Sequence, residues 1–191
     1  MNLNSQTLFS TPILKTAVNT KLADYMEDLI VPKIKNLDYI KDEQVHTDYH
    51  RDNNKKIVNS DELKPFIEVT NLAADFYVKQ LGIKFKNKVE WWVQDYKKNQ
   101  YYPYHAHPGA SISGIYYVRA NDKAGDLEFS TPNPHVYFEH HTDKKTRFKN
   151  LHHRITPEKG LLVLFPSWLY HKVISSNSKN IIRTCLAFNY E

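Results

Sequence analysis

The run Gly160-Leu-Leu-Val-Leu-Phe-Pro166-Ser-Trp-Leu-Tyr-His171 sets the architecture of this chain. Five consecutive apolar residues between a glycine and a proline read as a strand buried on both faces. The proline helps to fix the turn, and five residues later His171 opens the returning strand. The stretch therefore reads as a strand-turn-strand unit with one imidazole at its mouth. Small β-rolls hold a metal ion in this way.

A second pair of imidazoles stands far upstream, in Tyr104-His105-Ala106-His107-Pro108. Strand side chains alternate with a period of two, so His105 and His107 are expected on one face of one strand. Pro108-Gly109 marks the turn that ends it. Two imidazoles from one strand and a third from a distant strand can close three positions around an ion. The remaining positions stay open to small molecules, which suits a non-haem iron site. Arg183 follows His171 by twelve residues, with the polar turn 175–180 between them. That spacing predicts a hairpin that lays the arginine strand beside the histidine strand. Ile181, Ile182, Leu186 and Phe188 make the arginine strand look buried, and a buried guanidinium needs an anion. Its planar fork matches a carboxylate in two-pronged fashion.

Working outward, the chain from about residue 84 consists of short aromatic and β-branched runs broken by turn residues. Strands are expected at 89–93, 111–118, 127–129, 161–165, 171–174 and 181–188. Many short strands in a chain of this size indicate a jelly roll or related sandwich. The first part, to about residue 83, is expected to be helical. One helix spans about 20–31, with Leu22, Tyr25, Met26, Leu29 and Ile30 at helical spacing and Pro32 as its stop. A second spans about 61–81, capped by Asn59 or Ser60 and closed by Gly82, with Phe66, Val69, Ala73 and Phe76 as its apolar face. Pro65 fits only an opening turn. Residues 7–14 read as an extended edge piece, 41–58 as a loop or edge hairpin, and 130–158 as a long excursion. The whole of 1–191 is expected to be a single domain, of class α+β, mainly β, with the helices packed on one sheet of a double-stranded β-helix.

Composition bounds the function classes. The 191 residues can bury a real core, and no apolar run approaches the ~20 residues of a bilayer span. No secretion signal is visible at the start, and the one cysteine, Cys185, rules out an internal disulfide framework. A cytoplasmic location is the expectation, with no membrane association. A net charge of +5 and the Lys97-Lys98 pair beside Tyr101, Tyr102 and Tyr104 hint at single-stranded nucleic acid. The absence of any nucleic-acid-binding motif weighs against it, leaving a solvated surface as the simpler reading. A homodimer is compatible with the chain. Of the ten histidines, the adjacent pairs His140-His141 and His152-His153 diverge on a strand, and His46, His50 and His135 lack a partner at useful spacing.

Two β-roll families fit the metal pattern. A cupin has this Gly-Pro-His spacing, but its first motif needs a glutamate where Ser111 and Ile112 stand. The chain instead resembles the 2-oxoglutarate/iron(II) oxygenases of the prolyl-hydroxylase-like superfamily. The shared signature runs from Leu8-Phe-Ser-Thr-Pro-Ile13 through Trp91-Trp92, His105-x-His-Pro, Ser113-Gly-Ile-Tyr-Tyr117, Gly160 to Ser167 and His171, to Arg183-x-x-x-Ala-Phe-Asn.

That resemblance implies Fe(II) held by His105, His107 and His171, with 2-oxoglutarate and O2 as co-substrates. It implies Arg183 on the far carboxylate of 2-oxoglutarate. It also implies Tyr117, with Ser113 on the same strand parity, as a further co-substrate contact. The implied activity is hydroxylation of a C–H bond in a protein or small-molecule substrate, with release of succinate and CO2. The wider superfamily has a carboxylate where this chain has His107, so Asp126 and Glu128 are alternative ligands, their plainer reading being turn and surface positions. Trp92, Tyr102, Tyr104, Tyr116 and Trp168 are candidate pocket walls. A cupin-like enzyme without 2-oxoglutarate and a non-catalytic binding module are the competing functional readings.

Overall fold

A computed structural model of the chain describes residues 10–86, 88–132 and 151–191. Among the described residues, eleven strands lie in two antiparallel sheets. The larger has the order β1 (Leu14–Ala17), β9 (Leu161–Pro166), β6 (Ile112–Ala120), β11 (Arg183–Tyr190), β4 (Val89–Asp95), β3 (Val45–Thr47) and β2 (Asp38–Ile40). The smaller has the order β5 (Tyr102–His105), β10 (His171–Val173), β7 (Leu127–Ser130) and β8 (His152–Ile155). This is the jelly-roll, double-stranded β-helix class that the strand pattern indicated.

Side-chain alternation splits the core in two. On β11, Leu186, Phe188 and Tyr190 join Ile112, Tyr116 and Val118 of β6 against the helices. The opposite parity, with Cys185, Ile115 and Tyr117, meets Leu127, Phe129 and Val173 of the smaller sheet. Gly114 belongs to the helix side, where an added Cβ would stand 2.2 Å from the Phe188 ring. The glycine therefore lets that ring lie flat across β6.

Helix α1 (Thr20–Ile30) starts at Asn19, whose Oδ1 accepts from Leu22 N–H at 2.9 Å. The α-helix ends just before Pro32, as expected, and the chain goes on as a 3-10 segment, Val31–Asn36, in whose first turn the missing N–H of Pro32 costs nothing. Helix α2 (Ser60–Leu81) begins with a complete capping box of Asn59 and Glu62 and ends at Gly82 in the left-handed conformation, φ 65°. Such a cap contributes about 1 kcal/mol.

Two details differ from the sequence expectation. Pro65 lies in the second turn of α2, beyond the opening turn to which sequence assigned it. The buried face of α2 is Leu63, Phe66, Thr70, Ala74, Tyr77 and Val78, and Phe76 is 58% exposed. The predicted series Phe66, Val69, Ala73, Phe76 advances by fewer than 3.6 residues per turn on average, so it drifts off the contact line toward solvent.

Of residues 41–58, β3 forms a hairpin with β2, which lies just before them and is the outer edge of the larger sheet. Asp48 holds the chain after β3, accepting from Val93 N–H and Ile57 N–H, each at 2.8 Å. Strand β1 is the opposite edge, with Pro12 outside it. Part of the predicted excursion is a strand, β8, which places His152 and His153 on the edge of the smaller sheet. His135, His140 and His141 lie outside the described residues. Among the described residues, no helix is long and apolar enough to cross a membrane.

Candidate metal centre and co-substrate pocket

Two sequence expectations about how the site is assembled are corrected by the sheets. Strands β9 and β10 are not a pair: β9 belongs to the larger sheet and β10 to the smaller. The turn through Pro166 and Ser167 carries the chain across the sandwich. Likewise β10 and β11 are not a hairpin, because β11 pairs with β4 and β6 while β10 pairs with β5 and β7. Sequence proximity with a polar turn looks the same in both cases. Only the demand that each strand bury both faces decides between pairing and crossing.

The convergence of the histidines survives this change. His171 is the register partner of His105 across β10 and β5, with ring centroids 4.2 Å apart. His107 lies two residues past the end of β5 and not within it. Its N–H donates to Ser167 O at 2.8 Å, which draws it back over the smaller sheet. Its ring is 4.9 Å from His105 and 5.2 Å from His171. One ring nitrogen from each of the three lies within 4.8 Å of the others. Two nitrogens about 2.1 Å from a common ion can be at most about 4.2 Å apart. Three nitrogens on one ion cannot all stand at that limit; at right angles they are about 3 Å apart, so the rings close by up to about 2 Å to share an ion.

Two of the imidazoles are turned by their neighbours into ligand orientation. Nδ1 of His105 is 2.9 Å from Pro103 O and Nδ1 of His171 is 2.8 Å from Leu169 O. Donating that N–H leaves Nε2 as the unprotonated nitrogen with a lone pair to offer a metal. Burial, followed by the neighbouring imidazole of His105, pushes His107 down to about 4. His171 is driven well below the usual imidazole range, first by burial and then by His105. Burial also lowers His105. All three are therefore neutral at pH 7, the form that ligates a metal. Phe165 and Phe129 pack on His171 at 4.6 and 6.0 Å, and Trp92 on His107 at 5.9 Å.

A cavity of about 190 Å³ opens beside the three rings. Trp92 and Tyr102 line it, together with Tyr49, Gln94 and Tyr96, which sequence reading had not singled out. Tyr116 instead packs on Phe66 of α2 at 4.9 Å. Tyr104 and Trp168 lie with Tyr170 and His152 on the outer side of the smaller sheet.

Arg183 is 1% exposed and lies between two phenol rings, Tyr96 at 4.8 Å and Tyr117 at 5.2 Å. Its Nη1 donates to Gly125 O, while Nε, Nη2 and the Tyr117 hydroxyl are buried without a hydrogen-bond partner. Among the described residues no carboxylate pairs with this guanidinium. Leaving such donors unmet costs about 1–3 kcal/mol each, more for a charge. An anion with two acceptor oxygens would satisfy them together, so the donor set fits the far carboxylate of a small diacid.

Ser113 is on the inner parity with Tyr117, but its hydroxyl donates to Asn189 Oδ1 at 2.7 Å. Neither alternative carboxylate joins the histidines. Asp126 precedes β7, and Glu128 turns to the outer face, where it meets Arg154, Lys172 and Tyr104. Glu128 is not the exposed residue that a hydrophilic turn would carry; it is 1% exposed.

Solved structures share the fold. A prolyl-4-hydroxylase from Pseudomonas putida superposes with a TM-score of 0.67 at 13% identity, covering 96% of this chain and 94% of that one. A prolyl hydroxylase from Trichoplax adhaerens, solved with a hypoxia-inducible-factor oxygen degradation domain peptide, gives 0.68 at 13% identity, covering 96% and 84%. The non-haem α-ketoglutarate-dependent carbocyclase SnoK of nogalamycin biosynthesis gives 0.63 at 7%, covering 95% and 80%. No curated protein matches this chain in sequence. The family model described as "Putative 2OG-Fe(II) oxygenase" matches residues 90–189, just over half of the chain and the whole stretch from β4 to the end of the site. The protein belongs to the 2OG-Fe(II) oxygenases, a family whose chemistry requires Fe(II), 2-oxoglutarate and O2.

Proposed function

We propose that residues 1–191 act as one oxygenase domain that hydroxylates a C–H bond of a protein or small-molecule substrate, releasing succinate and CO2. The observation that carries this reading is the pair of unmet donor groups at Arg183 and Tyr117, in the same sandwich interior as three neutral imidazoles. In this reading His105, His107 and His171 hold Fe(II) through Nε2. When bound, the iron with 2-oxoglutarate and O2 supplies the oxidant, and the protein supplies placement and a water-poor pocket.

Arg183 neutralises the far carboxylate through Nε and Nη2, and Tyr117 donates its phenol O–H to the same group. The tyrosine is a donor at neutral pH, as any phenol is, and burial pushes its hydroxyl further above the usual phenol range. Tyr96 and Tyr117 confine the guanidinium to one plane, so the co-substrate's orientation is set before the primary substrate arrives. Ile115, Phe165 and Leu127 keep the interior apolar, which strengthens that ion pair. A histidine in place of the family's usual carboxylate leaves the ligand set one charge more positive. That favours the dianionic co-substrate.

Succinate formation from 2-oxoglutarate by the iron-loaded protein under air tests the reading. The expected result is slow substrate-independent turnover in the wild type and none in Arg183→Met. Equal rates in the two proteins, or none in the wild type despite bound iron and 2-oxoglutarate, would count against it. The Trichoplax adhaerens relative was solved with a peptide, which supports including a peptide segment among the substrates to be screened.

A further inference from the structure

His107 differs from the other two imidazoles in how its Nδ1 is held. His105 and His171 each have a backbone carbonyl two residues before them at Nδ1. His107, past the end of β5, has none. The group at its Nδ1 is instead the side-chain amide of Asn189, 3.3 Å away on β11. Asn189 is in turn held by the Ser113 hydroxyl at 2.7 Å, directly across the β6–β11 ladder. Asn189 shares the inner parity of β11 with Arg183, Cys185 and Ala187.

The direction of the Asn189–His107 bond decides which nitrogen of His107 is available. As placed, Nδ2 faces Nδ1 and Oδ1 accepts from Ser113. An amide donating to Nδ1 would require the ring hydrogen on Nε2, and His107 could not ligate through that atom. The two ends of an amide are nearly the same size, so it can turn over in place. Oδ1 then accepts from His107 Nδ1–H while Nδ2 donates to Ser113 Oγ, and both contacts are kept. Ser113 accommodates either orientation, since a hydroxyl both donates and accepts.

We infer that Asn189, steadied by Ser113, is the positioning residue that holds His107 in the Nδ1–H tautomer and turns its Nε2 toward the metal. The inference rests on His107 being a ligand. It assigns to an uncharged amide on β11 the task that backbone carbonyls perform for the other two imidazoles. An amide, unlike a carboxylate, adds no negative charge, so the extra positive charge of an all-histidine site is left undiminished.

Cobalt(II) titrated into the full-length apoprotein tests this, followed by calorimetry and by the visible spectrum of the bound ion. Asn189→Leu is expected to weaken cobalt(II) about 10–100-fold, the usual effect of removing an outer partner of a ligand, and to alter the spectrum. Asn189→Asp, which still accepts from Nδ1–H, should bind at least as tightly as wild type. Ser113→Ala, which leaves the amide unsteadied, should fall between Asn189→Leu and wild type, and it decides the matter if Asn189→Leu fails to fold. Nitrogen-15 NMR of the zinc-loaded wild type should show the His107 hydrogen on Nδ1. Wild-type affinity and spectrum in Asn189→Leu, or a hydrogen on Nε2, would overturn the inference. His107→Ala separates the two levels. If it loses cobalt(II) while the Asn189 variants do not, positioning alone fails; if it binds normally, the ligand assignment fails with it.

Discussion

Arg183 and Tyr117 lie on neighbouring strands of the larger sheet, the guanidinium carbon 5.2 Å from the centre of the phenol ring, and each carries a buried polar group without a partner. A fold that keeps such a pair carries an electrostatic cost that bound anion would relieve. Replacing the charge with an apolar side chain should relieve it too. Arg183→Met is therefore expected to leave the apoprotein at least as stable as wild type, while weakening 2-oxoglutarate by at least about 30-fold, roughly 2 kcal/mol. Thermal unfolding with and without 2-oxoglutarate, under nitrogen with iron(II), measures both. A destabilised apoprotein that still gains stability from 2-oxoglutarate would contradict this.

His171 is 5% exposed and is register partner to His105, so its loss cannot be made good by a neighbouring side chain. His171→Ala should lower iron(II) affinity by more than about 100-fold, beyond the effect of losing an outer hydrogen-bond partner. Metal analysis after gel filtration checks it; full iron content would remove His171 from the ligand set.

A Cβ at Gly125 would stand 1.7 Å from Ile174 O, on the segment that carries the chain from the smaller to the larger sheet. The Gly125 carbonyl also accepts from Arg183 Nη1. Gly125→Ala should destabilise by about 1–3 kcal/mol and weaken 2-oxoglutarate in the same variant, since one displacement disturbs both. Denaturant unfolding and calorimetry read the two effects separately. An unchanged midpoint would show that the segment yields freely.

Glu128 should report on acid stability. Burial alone would raise its carboxyl, but hydrogen bonds from Tyr104, Arg154 and Lys172 outweigh that and hold it at about 2. The unfolded value is near 4.3, so the folded group binds its proton less readily. Its stabilisation is complete above about pH 5 and is lost as pH falls toward 2. Glu128→Gln should thus cost roughly 2 kcal/mol at pH 7, with the difference closing between pH 5 and pH 2. A difference independent of pH would show that the carboxylate charge is not what stabilises this face.

Much of this was legible in the chain because strand and helix periodicities are local. The alternation of Ser113, Ile115 and Tyr117 indicated the inner face, and Tyr117 does meet the interior of the sandwich. Asn59 and Gly82 bounded α2 as their capping chemistry requires. The line of the α2 contact stripe was not legible, because what it packs against comes from β6 and β11, far along the chain. Tyr96 gave no signal of its own, and Asn189 closed the shared signature without any sign of what it faces. One is a phenol among thirteen tyrosines, and the other an amide after a buried strand residue. Each acquires meaning only from what stands opposite.

From the order of residues alone came the jelly-roll class, the histidines as a set and the arginine as an anion partner, because residue chemistry and strand period are properties of short segments. Tertiary structure alone decided that β9, β10 and β11 cross between sheets instead of pairing in sequence, that His107 stands beyond its strand, and that Asn189 rather than a carboxylate faces it. Those choices follow from the simultaneous burial of two sheet faces, a condition that no single segment can express.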